Sequence, residues 1–175
     1  MYSVFKFTKI LLQNNIGKSF YMGGRGGYDT HSNQFAGLNG NLASVADSVT
    51  KFFNSVKNSQ DITIVIFSEF GRTNKMNGDM GTDHGDGGGI YMLTSNPTLR
   101  ALLPAGTYGN MSLKYTRNFL GIGIDYRSVY SKIYQALYGI DGPTYFRDPS
   151  VSLEKDLSLE QNTISRVSLT NRILN

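Results

Sequence analysis

The spacing of apolar residues in the middle of the chain predicts a helix followed by a strand. Between positions 38 and 56, apolar side chains recur every three or four residues, which is the period of a helix that covers one face of a sheet. The run 62–67 is apolar except for one threonine, and such a run is typical of a strand buried on both faces. A helix that leads into a buried strand indicates an α/β fold.

Two shorter apolar segments predict further strands. Residues 20–22 lead into the glycine-rich segment 23–27, and residues 90–93 follow another glycine-rich stretch. We expect 20–22 and 62–67 to run parallel in one sheet, with the helix 38–56 as the right-handed crossover between them. The predicted fold class is therefore α/β, with a largely parallel sheet flanked by helices.

Helices are also predicted near both ends of this pattern. Lys6 and Lys9 interrupt the apolar residues of positions 1–12, which are expected to form a helix of the fold rather than a signal peptide. Helical spacing returns over 128–138, and Gly139 is expected to end that helix.

The remaining segments have no clear period. Positions 99–118 mix prolines and glycines with polar residues and predict irregular covering structure. From position 149 onward apolar residues are sparse, which suits either a docked extension or a poorly ordered end. We therefore predict an α/β domain over 1–148 and a C-terminal extension over 149–175.

Composition excludes several classes of protein and of site. The chain has 175 residues, of which 39% are hydrophobic, enough for a real core. The apolar run 62–67 falls far short of the roughly 20 residues that cross a bilayer, so no membrane span is expected. The absence of cysteine excludes disulfides and thiolate zinc sites. The net charge of +4 is scattered along the chain, so nucleic acid is not an expected partner.

Both histidines of the chain lie beside aspartates in glycine-flanked segments. Asp29 and His31 are two positions apart, so an extended backbone would point both side chains the same way. Asp83 and His84 lie in a second loop, whose glycines permit close approach to a ligand. Imidazole combined with carboxylates suits zinc or manganese better than calcium. The alternative is that each histidine is a loop residue hydrogen-bonded by its neighbouring aspartate.

Two further charged residues follow the predicted strand 62–67 at the edge where open α/β sheets place ligands. Glu69 is a candidate third acidic ligand, or else a surface carboxylate paired with Arg72. Arg72 is a candidate catalytic residue, because its planar guanidinium can orient a phosphate or sulfate group. Since both histidines follow predicted strands, their imidazoles should lie within roughly 10 Å of each other if they serve one metal centre.

Three motifs, taken in order, resemble one known protein family. They are Gly-Tyr-Asp-Thr-His-Ser-Asn-Gln at 27–34, Ser-Glu-Phe-Gly-Arg-Thr at 68–73 and Gly-Thr-Asp-His-Gly at 81–85. Their order and separation are similar to those of the bacterial family called domain of unknown function 1501, over about residues 10–140. That family is grouped with the alkaline phosphatase and sulfatase superfamily. The resemblance therefore implies an alkaline-phosphatase-like sheet between helices. Because members of the family often carry export signals, it also implies an exported protein. The sequence itself leaves the compartment open.

The resemblance also implies roles for single residues. By resemblance, Asp29 with His31, Glu69 and His84 would hold the metal. With Asp83 added from its place beside His84, the predicted metal site consists of Asp29, His31, Glu69, Asp83 and His84. Phe70 stands where the superfamily has a ligand histidine, and nothing before Asp29 resembles the segment that carries the superfamily's nucleophile. The chain thus resembles the C-terminal half of its family, and a missing N-terminal portion or a partner chain would supply the rest.

The predicted function is a metal-dependent hydrolase-like domain that acts on a small phosphate or sulfate ester. The alternative is a non-catalytic binding or structural protein that keeps the same scaffold. The missing nucleophile segment and the phenylalanine at position 70 both favour that alternative.

Overall fold

The computed structural model describes residues 2–17, 20, 26–85, 88–106 and 126–140. Within these residues the chain forms four helices and four short strands. In chain order they are α1 (Tyr2–Gln13), α2 (Gln34–Val56), β1 (Thr63–Ile66), β2 (Gly71–Arg72), β3 (His84–Gly85), β4 (Tyr91–Thr94), α3 (Pro97–Leu102) and α4 (Tyr126–Tyr138).

The strands of the described residues pair as two antiparallel ribbons. β1 pairs with β4, with Thr63 opposite Thr94 and Ile66 opposite Tyr91. The hydroxyl oxygens of Thr63 and Thr94 are hydrogen-bonded at 2.8 Å, which adds a polar link to the ladder. β2 pairs with β3 in the same antiparallel sense.

The predicted parallel pairing involves residues 20–22, of which Tyr21 and Met22 lie outside the described residues. The largely parallel sheet and the crossover role of α2 therefore stay predictions. The strands predicted at 62–67 and 90–93 are confirmed as β1 and β4, and they pair with each other.

The hydrophobic core joins α1, α2 and the strand that follows them. The rings of Phe5 and Phe52 stack with their centroids 4.8 Å apart. The other buried core residues are Val49, Val56, Ile62 and Ile64. Fully burying one side chain of this size contributes roughly 1.5–3 kcal/mol, so this cluster is the main source of stability for this part of the fold. The period that predicted α2 is confirmed, and its buried face is confirmed at Val49, Phe52 and Val56, whereas Leu42, on the same predicted face, is exposed.

Two other helix predictions agree with the structure. Positions 1–12 were expected to be helical, and α1 covers Tyr2–Gln13. The helix expected over 128–138 is confirmed as α4. Gly139 ends it with φ of 67°, and its N–H donates to the Gln135 carbonyl at 3.1 Å. A left-handed glycine is the common end of a helix because glycine adopts positive φ without a Cβ clash.

The prediction of irregular structure over 99–118 is wrong where α3 lies. Pro97 suits the first turn of a helix, because that turn needs no N–H from it. Leu99 is fully buried and Leu103 is also buried, so packing holds a helix that is too short for its period to be read from the sequence. Positions 107–118 lie outside the described residues.

The described residues fall in two compact units. One contains α1, α2 and all four strands, up to Pro97, and the second contains the described residues from Thr98 onward. The predicted boundary at 148/149 lies outside the described residues, so that division stays a prediction. No helix in the described part of the chain combines the length and the apolar character that crossing a membrane requires. All candidate site residues lie in the first unit.

Candidate functional site

The segment before α2 and the loop between β2 and β3 are joined backbone to backbone. Ser32 forms an isolated antiparallel bridge with Met80. The N–H groups of Asn33 and Gln34 donate to the carbonyls of Asp79 and Met80, each at 3.0 Å. Asn33 makes no side-chain cap, so these carbonyls satisfy N–H groups that the start of the helix would otherwise leave without partners. The start of α2 is thereby tied to the loop that leads into β3.

Two glycines allow the backbones of the site to approach closely. A Cβ at Gly81 would lie 2.2 Å from both the carbonyl carbon and the carbonyl oxygen of His31. A Cβ at Gly85 would lie 2.6 Å from the carbonyl carbon of Arg72. Only glycine fits at either position without a shift of the backbone. These contacts place the main chain of His31 and Arg72 against the loop that carries the second histidine.

The β2–β3 ribbon aligns the remaining charged side chains. It pairs Arg72 with His84. Beyond it, Thr73 donates its N–H to the Asp83 carbonyl at 2.9 Å, and Asp83 donates its N–H to Thr73 Oγ1 at 3.1 Å. Positions 72, 83 and 84 are thus held on a short antiparallel ladder. We call the five side chains of Asp29, His31, Arg72, Asp83 and His84 the polar cluster.

Asp29 is the centre of the polar cluster. Its Oδ1 lies 2.9 Å from His31 Nε2 and 2.9 Å from His84 Nε2, and it also accepts a hydrogen bond from Arg72 Nη1. The two imidazole centroids are 5.1 Å apart, which confirms the predicted convergence of His31 and His84. Because three side-chain nitrogen atoms meet at one oxygen, the carboxylate fixes the relative position of both histidines.

The pKa of Asp29 reflects this environment. Partial desolvation by itself raises the pKa, but hydrogen bonds with Arg72 and His84 and the electrostatic influence of the two histidines outweigh it. The net result is a pKa below the ordinary value, so Asp29 is a carboxylate at neutral pH. An ionised carboxylate between two imidazoles can hold a cation.

Asn77 is hydrogen-bonded to two members of the polar cluster, His31 and Asp83. It was not among the predicted site residues. Its Nδ2 donates to the His31 carbonyl at 2.9 Å and to Asp83 Oδ1 at 3.1 Å. Its Oδ1 accepts the N–H groups of Asp79 and Gly81, each at 3.0 Å. The Asn-Gly dipeptide at 77–78 is a turn signal, but nothing local indicates that its amide reaches a histidine 46 positions away.

The hydrogen bond from Asn77 also affects Asp83. That bond, together with one from His31 and the charges of His31 and Arg72, outweighs partial desolvation and lowers the pKa of the Asp83 carboxyl. Asp83 Oδ1 lies 3.2 Å from His31 Nδ1. Asp83 therefore faces the ring nitrogen of His31 that points away from Asp29.

Arg72 is directed inward. Its Nε donates to Thr82 Oγ1 at 3.1 Å and its Nη1 donates to Asp29. The third nitrogen, Nη2, is buried and makes no hydrogen bond to the described residues. The side chain is only 19% exposed. In this arrangement Arg72 holds Asp29, and its predicted role in orienting a substrate anion stays a prediction.

Phe70 holds the other histidine by stacking. Its ring lies 3.9 Å from that of His84, centroid to centroid, with 21° between the planes. The carbon Cζ of Arg72 lies 5.9 Å from the centre of the same ring. Phe70 thus packs against His84.

Three side chains of the polar cluster could hold a metal ion together. Single ligand atoms of Asp29, His31 and His84 all lie within 4.8 Å of one another, and these side chains are 54%, 48% and 53% exposed. Two imidazole nitrogens and one carboxylate oxygen form a donor set that zinc accepts, with room for further ligands. Among the described residues Asp83 and Glu69 are not part of this group. Glu69 is exposed, and its predicted role as a ligand stays a prediction.

The geometry defines a mixed imidazole and carboxylate cluster built on loops. Residues 15–94 match a family described as "Protein of unknown function (DUF1501)", and the matched segment contains the whole polar cluster. This match supports the family that the three motifs indicated. Comparison with curated proteins and with solved structures gave no match. The wider relationship to alkaline phosphatases and sulfatases stays a prediction, as does the assignment to the C-terminal half of the family.

Proposed function

We propose that Asp29, His31 and His84 bind a divalent transition metal ion, zinc or manganese, and that this centre serves a hydrolase-like domain acting on small phosphate or sulfate esters. One observation carries the proposal. Donor atoms from the segment before α2 and from strand β3, at most 55 positions apart, lie within 4.8 Å of one another around a carboxylate of lowered pKa. Their exposure leaves the centre open to a substrate.

The chemistry of the donor set supports this choice of metal. Neutral imidazoles with a carboxylate are preferred by zinc and accepted by manganese, whereas calcium prefers oxygen ligands alone. Three protein ligands are typical of centres that keep a further position for water or substrate. A bound ion of this kind would polarise an ester oxygen and lower the pKa of a coordinated water.

The role of Arg72 within this proposal follows from its contacts. Its hydrogen bonds to Asp29 and Thr82 orient the carboxylate that both histidines share. Because its third nitrogen is buried, a substrate anion could reach Arg72 only through a nitrogen that already donates to Asp29 or Thr82. We therefore expect Arg72 to contribute first through the position of Asp29.

Metal binding is tested by titration of the purified chain, first stripped with a chelator, with zinc and with manganese. We expect near-stoichiometric binding, reduced at least about 100-fold in His31→Ala and in His84→Ala, because each removes one of three first-shell bonds. Asp79→Ala, in the same loop, is the control and should bind as the parent does. A folded parent that binds neither ion would refute the metal centre.

Hydrolysis is tested separately with an aryl phosphate and an aryl sulfate as probes. The zinc-loaded or manganese-loaded chain should release the phenol faster than the same chain with chelator. The His84→Ala variant should lose the difference. If the metal binds and neither probe is hydrolysed, the esterase part of the proposal fails for this chain while the metal site stands.

A non-catalytic scaffold is the second candidate, and one feature of the cluster favours it. Asp29 Oδ1 already accepts from Arg72 and contacts both histidines, so the network joins the two loops without an ion. On this view chelator would not change the melting temperature, while His31→Ala would lower it. The metal proposal instead expects a chelator to lower the melting temperature of the metal-loaded chain and added zinc to restore it.

A further inference from the structure

The two ring nitrogens of His31 face different carboxylates. Nε2 lies 2.9 Å from Asp29 Oδ1, inside the group of potential metal ligands. Nδ1 lies 3.2 Å from Asp83 Oδ1, on the other side of the ring. A neutral imidazole has one N–H and one lone pair, so these two positions cannot have the same role when a metal is bound.

Asp83 is held in place by groups that do not depend on a metal. Its N–H donates to Thr73 Oγ1 and its carbonyl accepts the N–H of Thr73. Its Oδ1 accepts a hydrogen bond from Asn77 Nδ2 at 3.1 Å. Both the main chain and the carboxylate of Asp83 are therefore positioned before the imidazole of His31 is considered.

The orientation of the Asn77 amide is itself unambiguous. Its oxygen accepts two backbone N–H groups, from Asp79 and Gly81. Backbone N–H groups can only donate, so the atom that faces them must be the oxygen. The NH₂ group then faces the His31 carbonyl and Asp83 Oδ1, as observed.

We infer that Asn77 and Asp83 form a positioning relay that selects the Nδ1–H tautomer of His31, so that His31 binds the metal through Nε2 and Asp83 is not itself a ligand. This inference rests on the proposed metal site and assigns roles within it. A metal-bound histidine commonly donates its other N–H to a carboxylate, which orients the ring and increases its basicity as a ligand. Here the carboxylate 3.2 Å from Nδ1 is the acceptor for that N–H.

The second histidine is held differently and serves as an internal reference. His84 Nε2 contacts Asp29, and among the described residues its Nδ1 has no hydrogen-bond partner. Its ring is stacked on Phe70 instead. Loss of the relay should therefore alter His31 and leave the coordination of His84 unchanged.

The test compares zinc affinity in the parent, Asp83→Asn and Asp79→Asn, measured by competition with a chelator of known affinity. Both variants remove one negative charge from the same loop by an isosteric change, but Asp79 makes its hydrogen bonds to Asn77 and Asn33 through its main chain. We expect Asp83→Asn to weaken zinc binding about 10- to 100-fold, the range found for such orienting groups, and Asp79→Asn to have no more than about a twofold effect. Equal affinities in the two variants would overturn the inference.

A spectroscopic readout separates a positioning role from a merely structural one. Nitrogen NMR of the zinc-loaded protein, labelled at its two histidines, should show His31 protonated at Nδ1 and coordinated through Nε2. In Asn77→Ala the His31 Nδ1 signal should move while the His84 signals stay in place. Coordination of His31 through Nδ1 would overturn the relay, as would an Asp83→Ala variant that loses zinc as completely as His31→Ala. A folded parent that binds no zinc removes the proposed site and this inference with it, whereas zinc binding with His31 coordinated through Nδ1, or with Asp83 as a ligand, refutes only the inference.

Discussion

The hydrophobic core and the polar cluster lie in the same compact unit but are stabilised by different forces. The core brings α1, α2 and β1 together through buried side chains such as Phe5, Phe52 and Val56, and removal of apolar surface from water favours it. The polar cluster is exposed, and its order comes from hydrogen bonds and from close backbone contacts at Gly81 and Gly85. Because different forces hold the two regions, we expect a single substitution to disrupt one region and leave the other in place.

The largest effect is expected in the core. Phe52→Ala removes a ring that stacks on Phe5 and should lower the free energy of unfolding by about 3–5 kcal/mol, because a cavity replaces it. Zinc affinity, measured below the unfolding temperature, should stay within about twofold of the parent, since Phe52 belongs to the hydrophobic core, which includes no member of the polar cluster. Phe35→Ala, at an exposed position, is the control for loss of a ring. An equal loss of zinc affinity and stability would show that the two regions are not separable.

The converse effect is expected at Gly81. Gly81→Ala places a methyl group 2.2 Å from the carbonyl of His31, so the loop must move and zinc binding should fall at least about 100-fold. The helix signal in circular dichroism should stay that of the parent, because the core is unchanged. Gly78→Ala is the matched control, since a Cβ there meets nothing within 4 Å. Unchanged zinc affinity in Gly81→Ala would argue against the close approach.

The smallest effect is expected at Phe70, an apolar residue that stacks on a histidine of the polar cluster. Phe70→Leu keeps an apolar side chain beside His84 but loses the stacked ring. Aromatic pairs contribute about 0.5–1.5 kcal/mol beyond burial, so zinc affinity should fall roughly 2- to 10-fold. Phe35→Leu makes the same change at an exposed position and should bind zinc as the parent does. A loss as large as that of His84→Ala would mean that Phe70 supports the backbone of the site.

The core was predictable because its signal is local. The positions that α2 buries, Val49, Phe52 and Val56, follow from a period that is visible within the helix itself. The pairing of β1 with β4 was not predicted, because the direction of pairing depends on groups far apart in sequence. The hydroxyl contact between Thr63 and Thr94 is one of these. The predicted parallel strand at 20–22 reaches beyond the described residues and remains a prediction.

The candidate site was predictable in its residue types and not in its contacts. The two Asp-His motifs indicated that His31 and His84 would converge, and they do. Sequence spacing gave no means of telling that Arg72 turns toward Asp29 or that Asp83 faces Nδ1 of His31. Both features depend on hydrogen bonds between segments more than 40 positions apart, and these segments are too short to have a period from which side-chain direction can be read.

The hydrogen bonds of Asn77 also affect how fast the protein deamidates during storage. Asn77 precedes Gly78, and in an Asn-Gly pair the glycine nitrogen readily attacks the side-chain amide, which loses ammonia and forms a cyclic imide. That attack requires the amide to rotate, and here its oxygen and nitrogen are held by hydrogen bonds to the backbone and to Asp83. Deamidation should therefore be slow in the folded chain and fast once the loop opens. The imide opens to aspartate or isoaspartate, and either product places a second negative charge beside Asp83. Stored samples should therefore lose the ordered loop in proportion to the ammonia that they have released.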